Sequence, residues 1–96
     1  MSDWYAKKHV YAIQHPSTFK TVYIGISAHP EFRLCQHYKS RHNPILRRWL
    51  LSNPEPKLKV LTPLLDHSKA VDFERHLIKR LYAKGKPLFN KSAYNL

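Results

Sequence analysis

The apolar residues of this chain fall into short runs with two different periods. Residues 10–14, VYAIQ, make an apolar run of strand length, and 21–27, TVYIGIS, make a second. Between them lies HPSTFK, whose Pro16 and Ser17 mark a turn, so the two runs read as a hairpin. With the turn centred near Ser17, Tyr11 would face Tyr23 and His9 would face Gly25. Residues 58–61, LKVL, alternate like a third short strand. Three further segments have helical spacing. HPEFRLCQHYKS (29–40) places Pro30 at a first helical position and Glu31 in the first turn, where the helix dipole favours an acid. NPILRRWLLS (43–52) opens with Asn43 as cap and Pro44 after it. SKAVDFERHLIKRLYAKG (68–85) is the clearest helix, with Ser68 as its predicted cap and Gly85 as its stop. KPLFNKSAYNL reads as an ordered tail or final strand. The order is β-β-α-α-β-α. That is an α+β fold, a small three-stranded antiparallel sheet flanked by helices, in one domain over 1–96 with a core at about 9–92.

Composition narrows the partners. Seventeen Lys and Arg stand against six Asp and Glu in 96 residues, a formal charge of +11. Such an excess favours a polyanion, nucleic acid first. No long apolar span, lipidation signal or signal peptide points to a membrane. The one cysteine, Cys35, cannot form an internal disulfide, which fits a cytoplasmic protein. There is no CxxC, and no two of the seven histidines have HxH or HxxxH spacing, so a zinc site of the usual kind is not indicated.

Three features stand out from the scaffold. In the last helix Ala70, Phe73, Leu77, Ile78 and Leu81 form the expected buried stripe, and Glu74 falls inside it. A carboxylate on an apolar face is costly unless it is paired or holds a metal. The plain alternative is a salt bridge, or a glutamate at the stripe's margin. In the first helix Arg33 and His37 are four apart and share a face, as a solvated basic face also would. In the hairpin, Tyr11 and Tyr23 can be two phenols at one edge of a cleft or ordinary cross-strand packing. Gly25 in the functional version leaves room for close approach of a backbone or substrate.

Together these residues resemble the GIY-YIG nuclease domain. HVY (9–11) stands where that family has its GIY, and YIG (23–25) matches the second half unchanged. Arg33 lies eight residues after Gly25, with His37 one turn later. Glu74 sits in AVDFERHLI, which is similar to the family's glutamate-bearing helix, and PLFN with Asn90 is similar to its closing segment. The resemblance covers about residues 9 to 92. His9 replaces the family's first glycine and would sit across from Gly25, shift the strand, or bring an imidazole near the cleft.

The resemblance implies a metal-dependent endonuclease cutting DNA by a one-metal mechanism. Composition agrees, since Glu74 is the one well-placed acid among six. Mg2+ is commonly held by one or two carboxylates, waters and substrate phosphates, and Mn2+ is the other candidate ion. In this reading Glu74 is the metal ligand and Arg33 contacts the scissile phosphate with its planar fork. Tyr11 or Tyr23 positions or deprotonates the water, and His37 is a second candidate base, better matched to neutral pH. Asn90 would orient a tyrosine or the water. Gly25, Lys39, Arg41, Arg47 and Arg48 are candidate nucleic-acid contacts, extended by Lys79, Arg80, Lys84, Lys86 and Lys91. Trp49 and Phe89 read as core; Trp4 and Tyr94 read as base-stacking residues. The alternatives are an inactive nucleic-acid-binding module of the same fold, kept open by His9, and a small basic protein of a ribonucleoprotein, which gives no reason for Glu74.

Overall fold

A computed structural model describes residues 7–39, 41–86 and 88–90. Trp4, Lys91 and Tyr94 lie outside the described residues. The elements are β1 (His9–Gln14), β2 (Thr21–Ser27), α1 (Pro30–His37), α2 (Pro44–Ser52), β3 (Lys57–Val60) and α3 (His67–Ala83). The strands form one antiparallel sheet in the order β2-β1-β3. The fold is therefore the expected α+β arrangement, with β1 in the middle.

A central strand is covered on both faces, and β1 shows it: Val10, Tyr11, Ala12 and Ile13 are all buried. Val10 and Ala12 pack with Ile24, Ala70, Ile78 and Leu88. Tyr11 and Ile13 pack with Val22, Leu46 and Leu50, and Trp49 and Phe89 lean on that second cluster. The alternation of side chains along the strand thus feeds two cores.

Several local expectations hold for the stated reasons. Pro30 and Pro44 open their helices, and the Asn43 side chain accepts from the Leu46 N–H. Gly85 has φ 72°, the left-handed value that glycine tolerates at a helix end. Others shift. α3 begins one residue before Ser68, with Asp66 at the cap position, and the Asp66 side chain makes no capping bond. Strand β3 sits one residue earlier than LKVL, and α1 stops at His37. Phe73 is not in the buried stripe; it is 44% exposed. The helix turns Ala70, Glu74 and Ile78 inward along one i+4 row, which rotates Phe73 to the flank.

The hairpin register differs from expectation in a way that matters. Tyr11 pairs with Gly25, not Tyr23, and His9 pairs with Ser27. The reason lies in the turn. His15 and Lys20 close it, and Phe19 takes a left-handed φ of 59°. A bulge follows, since Gln14 pairs with Thr21 but Ile13 pairs with Tyr23. One extra residue in β2 re-aims everything beyond it.

β2 is an edge strand, and the tail covers its open side. The Phe89 N–H donates to the Val22 carbonyl at 2.7 Å. The Asn90 side chain accepts from the Ile24 N–H at 2.9 Å and donates to the Ile24 carbonyl. Asn43 donates to the Phe89 carbonyl. Asn90 therefore pins the backbone of β2, the strand that carries Tyr23. Its amide substitutes for a strand partner at a buried edge.

Candidate active site

Tyr11 and Tyr23 share one face of the sheet, because Tyr11 is opposite Gly25 and Tyr23 is two residues from Gly25. They are diagonal neighbours, with ring centroids 6.3 Å apart. The space Gly25 leaves is filled by these rings: a methyl there would lie 2.6 Å from Tyr11 Oη and 2.9 Å from Tyr23 Cε2. Gly25 is itself buried, so its part is to admit Tyr11 and not to touch a nucleic acid.

Helix α1 lies over this face. His37 is only 5% exposed, so it is not part of a solvated basic face. Its Nε2 is 2.9 Å from Tyr11 Oη, and its ring meets Tyr23 edge-on at 4.8 Å. Arg33, one turn earlier, remains exposed and donates from Nη1 to Gln36 Oε1 at 3.0 Å. Gln36 carries no sequence signal beyond its three-residue spacing from Arg33. The positive charge of Arg33 also acts on the Tyr11 phenol and favours its ionised form, against the larger effect of burial.

The bond runs from the phenol to a bare Nε2 or from Nε2–H to the phenol oxygen, according to the imidazole tautomer. The charge of the ring follows from its surroundings. Burial, assisted by Arg33, lowers the His37 pKa to about 4, so the ring is neutral near pH 7 and one of its nitrogens is bare. Burial pushes both phenols above their ordinary value. The neighbouring phenol and the Glu74 charge push Tyr11 further up, and Glu74 does the same to Tyr23; Arg33 pulls both back.

Glu74 enters from α3. It is half-buried between Ala70 and Ile78, and its charge reaches both phenols. Burial raises its pKa, against a smaller opposite effect of Arg75. Among the described residues no group of three or more His, Cys, Asp or Glu could hold a metal ion. A single hard carboxylate, uncomfortable in its charged form, fits a cation that draws its other ligands from water and phosphate.

The remaining candidates are peripheral. Lys39 and Arg41 lie between α1 and α2, Arg47 and Arg48 lie on α2, and all four are exposed. His9 turns its Nδ1 to the Thr62 carbonyl at 2.8 Å. No described helix is long and apolar enough to cross a membrane.

The neutral His37 has a consequence for stability. Unfolded, it would titrate near 6.5, and folded near 4. Between these values the unfolded chain binds more protons, so stability falls as pH falls from 6.5 toward 4, by up to about 3 kcal/mol. Glu74, with a raised folded pKa, acts in the opposite sense above 4.5. The expected result is therefore a difference. Thermal unfolding of wild type loses more stability across this window than His37→Phe does. Equal slopes in the two proteins would count against the buried neutral imidazole.

The family profile described as the GIY-YIG catalytic domain matches residues 7–87. No curated protein and no solved structure matches the chain.

Proposed function

The chain belongs to the GIY-YIG catalytic-domain family, a family of nucleases, and on that premise we propose that it is an endonuclease that hydrolyses phosphodiester bonds in DNA with one Mg2+ or Mn2+ ion. The observation that carries this reading is the 2.9 Å contact of Tyr11 Oη with a neutral, buried His37 Nε2, under an exposed arginine.

A phenol with a raised pKa is a poor free base. It is a good conduit when an acceptor stands behind it. Tyr11 is fully buried in the free protein, so in this mechanism substrate binding admits the attacking water to Tyr11 Oη, and His37 takes part as the tautomer with a bare Nε2. As its oxygen bonds to phosphorus, its proton passes to Tyr11 Oη while the phenol proton passes to His37 Nε2. No free tyrosinate forms, and the pair ends with a protonated imidazole. Tyr23, edge-on to His37, keeps the ring aligned. Arg33 holds the scissile phosphate, and Gln36 holds Arg33. Glu74 would hold the ion, which when bound supplies Lewis-acid stabilisation of the charge on the phosphate and the leaving oxygen. Lys39, Arg41, Arg47 and Arg48 contact backbone phosphates, giving affinity that falls with salt.

The test is cleavage of labelled single-stranded and duplex DNA with Mg2+ or with EDTA. Cutting is expected with Mg2+ and none with EDTA. Binding without cutting in both would replace this reading with the inactive binding module.

A further inference from the structure

The face that carries Tyr11 continues past it. Tyr11 pairs with Gly25 on one side and with Val60 on the other. Residues directly opposite in a ladder share a face, and His9, two residues before Tyr11, shares it too. The first turn of α1 closes over this row. The result is a recess of about 480 Å³ lined by His9, His29, Pro30, Glu31, Phe32 and Val60, among others. That volume is within the usual range of small-ligand sites, roughly 300–1,000 Å³. Two of its apolar walls face water: Phe32 is 65% exposed and Val60 48%.

We propose that this recess holds one unpaired nucleobase of the substrate strand, stacked on Phe32, next to the phosphate contacted by Arg33, and that it favours bases carrying an amino group. The inference rests on the nucleic-acid-cutting reading and deepens it by naming the substrate class.

Continuity is the first reason. Phe32 precedes Arg33 in the chain, and Val60 neighbours Tyr11 in the sheet. The recess thus flanks, on the same helix, the residue proposed to hold the phosphate. Charge is the second. A chain of +11 attracts a polyanion, yet the recess contains Glu31, which repels phosphate. The backbone is thereby kept at Arg33 while the uncharged base turns inward. Hydrogen-bond chemistry is the third. His9 Nδ1 must donate to the Thr62 carbonyl, so in the neutral ring Nε2 is an acceptor. The Glu31 carboxylate is a second acceptor. Adenine, cytosine and guanine offer exocyclic amino donors; thymine has none. A base inside an intact duplex is stacked on both faces and paired along its edge and cannot enter, so the occupant is unpaired.

Binding is measured without cutting, in EDTA, with labelled single-stranded and duplex oligonucleotides. Phe32→Ala is expected to weaken single-strand binding about tenfold, at the lower end of base–aromatic stacking effects. Duplex binding should change by less than about twofold, because that term is electrostatic. Phe32→Trp should restore the single-strand affinity. One abasic position should reproduce the loss, and Phe32→Ala should add nothing on that strand. Glu31→Gln should narrow the preference for oligocytidine over oligothymidine. Equal single-strand affinity in Phe32→Ala overturns the base site, as does equal loss on duplex. Phe32 and Glu31 are exposed, so the folded state is not at stake in either variant. The two readings separate cleanly. Mg2+-dependent cutting with an indifferent Phe32 sinks the recess alone. A Phe32 effect on binding with no cutting by wild type sinks the nuclease alone.

Discussion

Glu74→Gln is expected to reduce Mg2+-dependent cleavage by about a thousandfold or more while leaving the protein folded. Among the described residues the carboxylate is the one acid that the fold brings within electrostatic reach of Tyr11 and Tyr23. A bound cation supplies several kcal/mol of transition-state charge stabilisation, and each 1.36 kcal/mol is tenfold in rate. Glutamine has the same shape and keeps an oxygen but loses the charge that holds Mg2+. It also removes a desolvated charge from the row between Ala70 and Ile78. Thermal stability should therefore be unchanged or higher, since burial already disfavours the ionised form. The measurement is a pair: a single-turnover cleavage rate and an unfolding midpoint. A variant that cuts within tenfold of wild type would remove Glu74 as the metal ligand. A variant that loses activity and stability together would make Glu74 structural.

Much of this site is legible in the residues themselves. The spacing from YIG to Arg33 and His37, and Glu74 inside an apolar stripe, point to the groups that the fold assembles. Strand β2 and helix α2 begin and end where their turn and cap residues say. What escapes is set by geometry that has no local signature. Phe19 adopts a left-handed φ, which nothing about a phenylalanine announces, and the bulge beyond it moves the register. Tyr11 thus meets Gly25 where simple counting pairs it with Tyr23. Phe73 fits an apolar stripe by periodicity, but the stripe is narrower than the pattern and Glu74 occupies its middle. Asn90 shows its amide in the sequence but not its partner, and the partner is a backbone 66 positions away. His37 looks solvated beside Arg33 until two tyrosines cover it.

Gly25→Ala is the second large effect, and it tests the tyrosine pair directly. The added methyl would stand 2.6 Å from Tyr11 Oη, 2.7 Å from Tyr11 Cζ and 2.9 Å from Tyr23 Cε2. Real methyl carbons do not sit that close, so a ring must move. Tyr11 has no room to do so freely: it is fully buried among Ile13, Leu46 and Leu50, and its hydroxyl is tied to His37. Overpacking of this kind costs about 1–3 kcal/mol in stability. The larger loss is in chemistry. A displacement on the order of 1 Å takes Oη out of line with His37 Nε2, and misplacement of that size costs about a hundredfold in rate. The expected variant is folded, binds DNA near the wild-type affinity and cuts at least a hundredfold more slowly. Tyr11→Phe separates the two contributions. It keeps the ring and removes the proton path, so it should lose the rate without the strain, and its unfolding midpoint should lie above that of Gly25→Ala. If Gly25→Ala cuts as wild type does, the phenol is free to move, and the Tyr11–His37 contact is not what passes the proton.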